Sequence, residues 1–355
     1  MRVSRVSQDR CRIFYQLVFV ILKLSMFLAL CISNPLDINS YIKLANYSME
    51  ADEQTGHYKC TVPFGLEGRP VFGGQIFSHI IGCALKETAG YEVISGDCVF
   101  KNKTDPVLPI VYKSSVEPLG KTVMVINIDV IQEVEGKEEV RAIGHVLLQK
   151  KKSAIISEKK KYIKTIHKSQ KNSLSEYFKP RLSDKERIQS MQPAIKYMKK
   201  ILRDKEDFNK YVEIAHKRCS GVDVYISQHK TCKFARCIGY QLHMEKEETP
   251  PLSEEEHLSQ VYTYLSFISD EYLLETALTS VGLCIINTKY NILTLSHSVN
   301  FNNCEKFNLK EPFFYTMWID SIQNNMARCS GMIIQNKVVY ANIKQIGKII
   351  PLSKD

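Results

Sequence analysis

Three residues in the C-terminal part of the chain carry groups suited to holding or moving a proton: the carboxylate of Asp270, the hydroxyl of Thr294 and the primary amide of Gln345. Each also has an ordinary structural use. Asp270 precedes an apolar stripe (Leu273, Leu274, Ala277, Leu278, Val281) closed by Gly282, so it is expected to open a helix as its N-cap. Thr294 shares one strand face with Ile292, Ser296 and Ser298, and such a hydroxyl stripe is commonly solvated. Gln345 alternates with Val339, Ala341 and Ile343; a buried amide there needs partners for two donors and an acceptor, unless the strand end reaches solvent. His297 falls on the opposite, apolar side with Leu295, Val299 and Phe301, and reads as a core or dimer-contact histidine. Gly73-Gly74 ahead of a helix is a signal for close backbone approach or anion binding. There is no GxSxG elbow and no P-loop.

The elements that would position these groups follow from periodicity. Residues 36 to 150 read as one unit, with a short helix over Asp37–Leu44 and a short strand over Tyr58–Pro63. Arg69–Gln75 then leads into a helix whose Phe77, Ile80, Ile81, Ala84 and Leu85 form one apolar stripe, ended by Gly90. Strands follow. In Thr122–Ile131, Met124, Ile126, Ile128 and Val130 face away from Asn127 and Asp129. In Glu139–Gln149, Val140, Ala142, Val146 and Leu148 alternate with Arg141 and His145.

From Val222 to Ile350 the plan repeats. Strands are expected over Val222–Ser227 and Arg236–Met244, followed by the helix opening at Asp270. Further strands are expected over Leu283–Asn287, Ile292–Phe301, Pro312–Ile322 and Met332–Ala341, the last running towards Ile346. The likeness between the halves is architectural, with no residue-by-residue match. One helix wrapped by a curved antiparallel sheet, occurring twice, buries these stripes and makes the fold α+β.

With 355 residues, 44% hydrophobic and 24% charged, the chain can bury a sizeable core. This composition excludes collagen-like, disordered and multi-span membrane classes. The net charge of +10 comes from one segment. Lys150–Lys205 holds 18 Lys and Arg against 5 Asp and Glu, and the remainder sums to −3. That connector, with a capping-box spacing at Ser183–Glu186 and an apolar stripe at Ile188, Met191, Ile195, Met198 and Leu202, reads as a packed linker helix. No nucleic-acid partner is expected. Eleven cysteines without a CxxC pair read as reduced, buried apolar residues, and no metal is expected.

At the N-terminus, Arg2, Arg5, Arg10 and Arg12 precede the apolar run Ile13–Ile32. That is the plan of a signal peptide or signal anchor, near the ~20 residues needed to span a bilayer. Lys23 at its centre would cost about 2.5–3.5 kcal/mol on insertion. Membrane association through residues 13–32 is one reading, and an upstream extension from an early start codon is the other.

Taken in order, several blocks resemble the type II acyl-CoA thioesterases, the bacterial and peroxisomal enzymes with a double hot-dog fold. They are Val71-Phe72-Gly73-Gly74-Gln75 with its helix, Gly120–Gln132, Tyr264–Asp270, Leu293–Ser298 and Val338–Gly347. The resemblance covers residues 36–150 and 215–350. It implies a first hot-dog domain over 34–150 and a second over 216–350, while the apolar extension over 1–33 and the basic linker over 151–215 are read from composition and lie outside the resemblance. It further implies hydrolysis of fatty acyl-CoA by a water held on Asp270, Thr294 and Gln345, with no cofactor.

Under this resemblance Phe72, Gly73, Gly74 and Gln75 lie against the thioester or pantetheine arm. Asp270 takes the water proton, Thr294 links carboxylate to water, and Gln345 donates to the water or the oxyanion. A homo-oligomer and a cytoplasmic or peroxisomal location belong to the same resemblance, although Ser353-Lys354-Asp355 departs from the Ser-Lys-Leu peroxisomal address. The surroundings of Thr294 also depart, with Ser296-His297-Ser298-Val299-Asn300-Phe301-Asn302 where the family carries Asp-His-Ser-Met-Trp-Phe-His. That drift motivates one rival, a non-catalytic acyl-CoA-binding protein; a second rival is an enoyl-CoA hydratase of related fold. The hydratase needs an Asp/His pair, and His297 is expected to face away from Thr294.

Overall fold

A computed structural model describes residues 49–52, 57–60, 63, 70–151, 222–227, 235–242, 253–281 and 290–351. The apolar run at 13–32, the helix expected at Asp37–Leu44, the basic connector, the strand expected at Leu283–Asn287 and the C-terminal tripeptide lie outside them.

Twelve strands form one antiparallel sheet. They are β1 (Met49–Asp52), β2 (His57–Cys60), β3 (Tyr91–Phe100), β4 (Ile110–Pro118), β5 (Val123–Val134) and β6 (Lys137–Lys150), then β7 (Val222–Ser227), β8 (Ala235–Leu242), β9 (Tyr290–Phe301), β10 (Phe313–Gln323), β11 (Met326–Gln335) and β12 (Val338–Pro351). The order is β1-β2-β4-β5-β6-β3-β9-β12-β11-β10-β8-β7. Read from either end it is the same sequence of roles, with β3 and β9 paired at the centre. The two expected sheets are therefore fused edge to edge.

Among the described residues three α-helices pack on one side of the sheet: α1 (Gly73–Lys86), α2 (Glu254–Ser269) and α3 (Leu273–Ser280). α1 is buried without interruption from Gly74 to Ala84, wider than its apolar stripe alone, because it lies on β3–β6 and also against α2. α2 was not foreseen. Its signals are a Ser253/Glu256 capping box, with both reciprocal hydrogen bonds formed, and Leu258, Val261, Tyr262 and Leu265 at helical spacing. α3 is the helix expected near Asp270, but it starts at Leu273; Leu273, Leu274, Ala277 and Leu278 are buried, while Val281 is half exposed. No helix among the described residues is long and apolar enough to cross a membrane.

The strand read as Met332–Ala341 is two strands. Asn336 and Lys337 take φ 49° and 69°, so the chain reverses there in a tight turn between β11 and β12, with Asn suited to the left-handed region.

Correspondence between the two sets of strands extends to single residues. Gln132, fully buried, accepts from Asp105 N (2.8 Å) and donates to Asp105 O (2.7 Å) and Leu108 O (3.0 Å). Gln335 accepts from Asn308 N (2.8 Å) and donates to Asn308 O (2.8 Å) and Glu311 O (3.0 Å). The bulge residues Arg141 of β6 and Tyr340 of β12 each accept at 2.8 Å from the residue following the central strand, Lys101 and Asn302. The expectation of a purely architectural likeness is thus too weak. It missed the match because the shared residues are scattered polar anchors set among freely varying apolar positions.

Candidate functional site

Asp270 closes a helix instead of opening one. It is the C-cap of α2 (φ −86°, ψ −16°). The chain then turns through Tyr272, at φ 60°, into α3. A non-glycine residue there is backbone strain, set beside the site. The helix N-terminus that Asp270 meets belongs to α1. A Cβ added to Gly73 would lie 2.9 Å from Asp270 Oδ2, so the carboxylate sits over the first turn of α1, whose N-cap Phe72 supplies no side-chain cap. Gly74 permits this approach, because a Cβ there would lie 2.4 Å from the backbone oxygen of Phe267 in α2. Phe72 packs edge-on against Phe267, ring centres 5.0 Å apart, and Gln75 is fully buried in α1.

Thr294 reaches this point through a β-bulge. Ile346 pairs with Ser296, but Gly347 pairs with Thr294, so Leu295 is the extra residue in β9. The bulge splits the expected hydroxyl stripe: Thr294 and Ile292 turn to the helix side, with Gly347 and Ile349, while Ser296 and Ser298 stay on the other face. A second bulge, at Tyr340, likewise removes Val339 from the face that Ala341, Ile343 and Gln345 share. Gly347 is bare because a Cβ would lie 2.5 Å from Leu274 Cδ1.

Gln345, 1% exposed, joins the three groups. Its Nε2 donates one proton to Asp270 Oδ1 and one to Thr294 Oγ1, the latter at 3.1 Å. Both amide protons are thereby committed, and Thr294, having accepted, keeps its own hydroxyl proton to donate elsewhere. Gln345 Oε1 is buried with no hydrogen-bond partner among the described residues. Thus three residues separated by up to 75 positions meet around one amide.

Behind them stands His297, 1% exposed, whose Nε2 lies 2.7 Å from Ser269 Oγ. Burial holds its pKa down at about 3, so the ring is neutral. Burial first, and the Asp270 charge second, push the Cys98 thiol and the Tyr315 phenol well above their usual values. Both stay uncharged within electrostatic reach of the carboxylate. Among the described residues no group of three or more His, Cys, Asp or Glu gathers to hold a metal ion.

The matching positions near α1 carry no such set. Counting from the paired bulges, Val146 occupies the place of Gln345, and Val93, beside the bulge of β3, that of Thr294. Both valines are buried.

No family model matches the sequence, and no curated protein matches it. Solved structures do. The acyl-CoA thioesterase II TesB2 from Mycobacterium marinum superposes with a TM-score of 0.57 at 15% identity, covering 89% of this chain and 99% of that one. The tesB protein of Mycobacterium avium subspecies paratuberculosis gives 0.57 at 14% identity, covering 87% and 98%. A hot-dog-fold protein of unknown function from Alicyclobacillus acidocaldarius gives 0.54 at 9% identity, covering 88% and 99%. The chain has the hot-dog fold of the type II acyl-CoA thioesterases. That fold explains why a polar cluster can sit between a buried helix and the sheet, where the end of one helix meets the start of another.

Sequence reasoning named Asp270, Thr294, Gln345 and the Gly73-Gly74 turn, and the fold brings all of them together. It missed Ser269 and Tyr315; it placed His297 correctly on the buried side with Val299 and Phe301, but put Thr294 on the opposite side of β9. A bulge has no reliable sequence signal, so strict alternation misassigned everything on one side of Leu295.

Proposed function

We propose that this chain is an acyl-CoA thioesterase of double hot-dog architecture, its two six-stranded sets being the two hot-dog units, with one hydrolytic site in the second. The observation that carries the reading is the bridging of Asp270 and Thr294 by Gln345 Nε2 beside the uncapped start of α1. Water held between the Thr294 hydroxyl and the Asp270 carboxylate gives its proton to the carboxylate as its oxygen attacks the thioester carbonyl. The negative charge that develops on the carbonyl oxygen falls to the backbone N–H groups of Gly73 and Gly74 at the positive end of the α1 dipole, because Gln345 has no proton left to give. The C–S bond then breaks, and a thiolate with a pKa of ~8.5 leaves with little acid assistance. In this scheme Gln345 orients the carboxylate and the hydroxyl and does not touch the oxyanion, a different role from the one the family resemblance implies.

The hydratase rival regains one argument, since the Leu295 bulge puts His297 on the same face as Thr294. It loses another, because His297 is fully buried with Nε2 engaged by Ser269. The test is to incubate the full chain with acyl-CoAs of graded length and follow free thiol. Thiol release that Asp270→Asn reduces at least about a hundredfold supports hydrolysis. Tight binding without release favours a binding protein, and hydration of crotonyl-CoA without release favours a hydratase.

A further inference from the structure

A second polar layer lies behind the Asp270–Thr294–Gln345 cluster, and the scheme above leaves it unused. Ser269 is the last residue of α2 and the neighbour of Asp270. Its Oγ lies 2.7 Å from Ser266 O and 2.7 Å from His297 Nε2, and its carbonyl accepts from the Tyr315 hydroxyl at 2.6 Å. A hydroxyl has one proton, and a carbonyl oxygen can only accept. Ser269 Oγ–H therefore goes to Ser266 O, and His297 Nε2–H donates to Ser269 Oγ. The other ring nitrogen, Nδ1, is then an acceptor.

Directly across the strand pair from His297 stands Gln345. Directly opposed side chains point to the same face with Cβ atoms ~5 Å apart. With both Nε2 protons spent, Gln345 also presents an acceptor, Oε1. His297 Nδ1 and Gln345 Oε1 are both buried, and neither has a partner among the described residues. Two neighbouring acceptors in a buried site call for a donor with two protons to give, which is what a water molecule supplies.

We propose that His297 is a positioning residue: through Ser269 it fixes the helix end that carries Asp270, and through one buried water donating to His297 Nδ1 and Gln345 Oε1 it fixes the amide of Gln345. The kinetic part of this inference rests on the hydrolytic reading; the structural part does not. Phe77 packs near-perpendicular to the imidazole, with ring centres 4.9 Å apart. The matching position on β3 is Gly96, so the layer accompanies only the polar cluster.

The test has a spectroscopic and a kinetic arm. Long-range 1H–15N spectra of the imidazoles, with His297 assigned through His297→Gln, are expected to show the Nε2-protonated tautomer. Gln345→Leu should displace the Nδ1 signal, since the water loses its second anchor. An Nδ1-protonated ring, or an Nδ1 signal unmoved by Gln345→Leu, overturns the proposal. In the kinetic arm, His297→Gln keeps a donor towards Ser269 and deletes the Nδ1 acceptor; kcat should fall about tenfold with KM within about twofold of the parent, and His297→Phe should fall further. An unchanged kcat, or a change in KM alone, overturns it. A parent protein that releases no thiol would sink the hydrolytic reading, and the spectra would still decide whether the layer is built as described.

Discussion

Thr294 and His297 lie three residues apart on β9 and yet face the same side of the sheet, because Leu295 is bulged out between Thr294 and Ser296. One strand thereby delivers a hydroxyl to Gln345 and an imidazole to Ser269. The same stretch of chain thus meets the amide that holds Asp270 and the last residue of α2.

The Thr294 hydroxyl should matter far more than its methyl group. Thr294→Val leaves one Gln345 Nε2 proton buried without an acceptor, a cost of about 1–3 kcal/mol, and removes the donor towards water. Thiol release is expected to drop about a hundredfold in Thr294→Val and only severalfold in Thr294→Ser. Equal rates in the two variants would detach Thr294 from the chemistry.

Gly73 and Gly74 should separate activity from stability. In Gly74→Ala the new methyl group meets the backbone oxygen of Phe267, which cannot move alone, so a loss of at least about 1–3 kcal/mol is expected in denaturant unfolding. In Gly73→Ala it meets the carboxylate of Asp270, a side-chain end that can rotate away. That variant should keep most of its stability and lose thiol release. A Gly73→Ala protein with parental rates would show that the Asp270 orientation is not critical.

His297 should contribute to acid sensitivity. Its folded pKa, about 3, lies below the ordinary histidine value of ~6.5, so the unfolded chain binds the proton first. The stability conferred by the neutral ring is complete above ~6.5 and is lost as pH falls towards 3, at about 1.4 kcal/mol per pH unit. Denaturant midpoints measured from pH 7 down to pH 4 should fall less steeply in His297→Phe than in the parent. Parallel slopes would mean that the ring is not held neutral by burial.

Gln132 and Gln335 make the same three hydrogen bonds in matching places. Gln132→Leu and Gln335→Leu should therefore destabilise the protein by similar amounts, about 1–3 kcal/mol each, by removing the buried amide that bonds one N–H and two carbonyl groups, although Asn308 O keeps Glu311 N. Neither should change KM. Costs that differ by more than about 2 kcal/mol would argue against the equivalence of the two sites.

Much of the fold was legible in the chain. The α1 stripe, the β5 and β6 alternations and β9 and β10 follow from apolar spacing, because a buried face must recur at the period of its element. Other features were not. α2 presents polar groups such as Thr263, Ser266 and Ser269 to the interior, satisfied by bonds back to its own turns, which blurs its stripe. The β11–β12 turn lies at Gln335-Asn336-Lys337, a short polar interruption between two apolar stretches, and a two-residue reversal leaves only that trace in the sequence.

What the sequence determined by itself was chemical type and local period: a carboxylate ahead of a helical stripe, a hydroxyl and an amide in strands, and a Gly-Gly pair that admits close approach. Tertiary structure alone decided that these groups meet. Their convergence depends on a bulge at Leu295, on the antiparallel register of β9 with β12, and on the contact between Gly74 and Phe267 that brings two helix ends together. Each of these is set by packing between segments far apart in the chain, and no local window of residues encodes it.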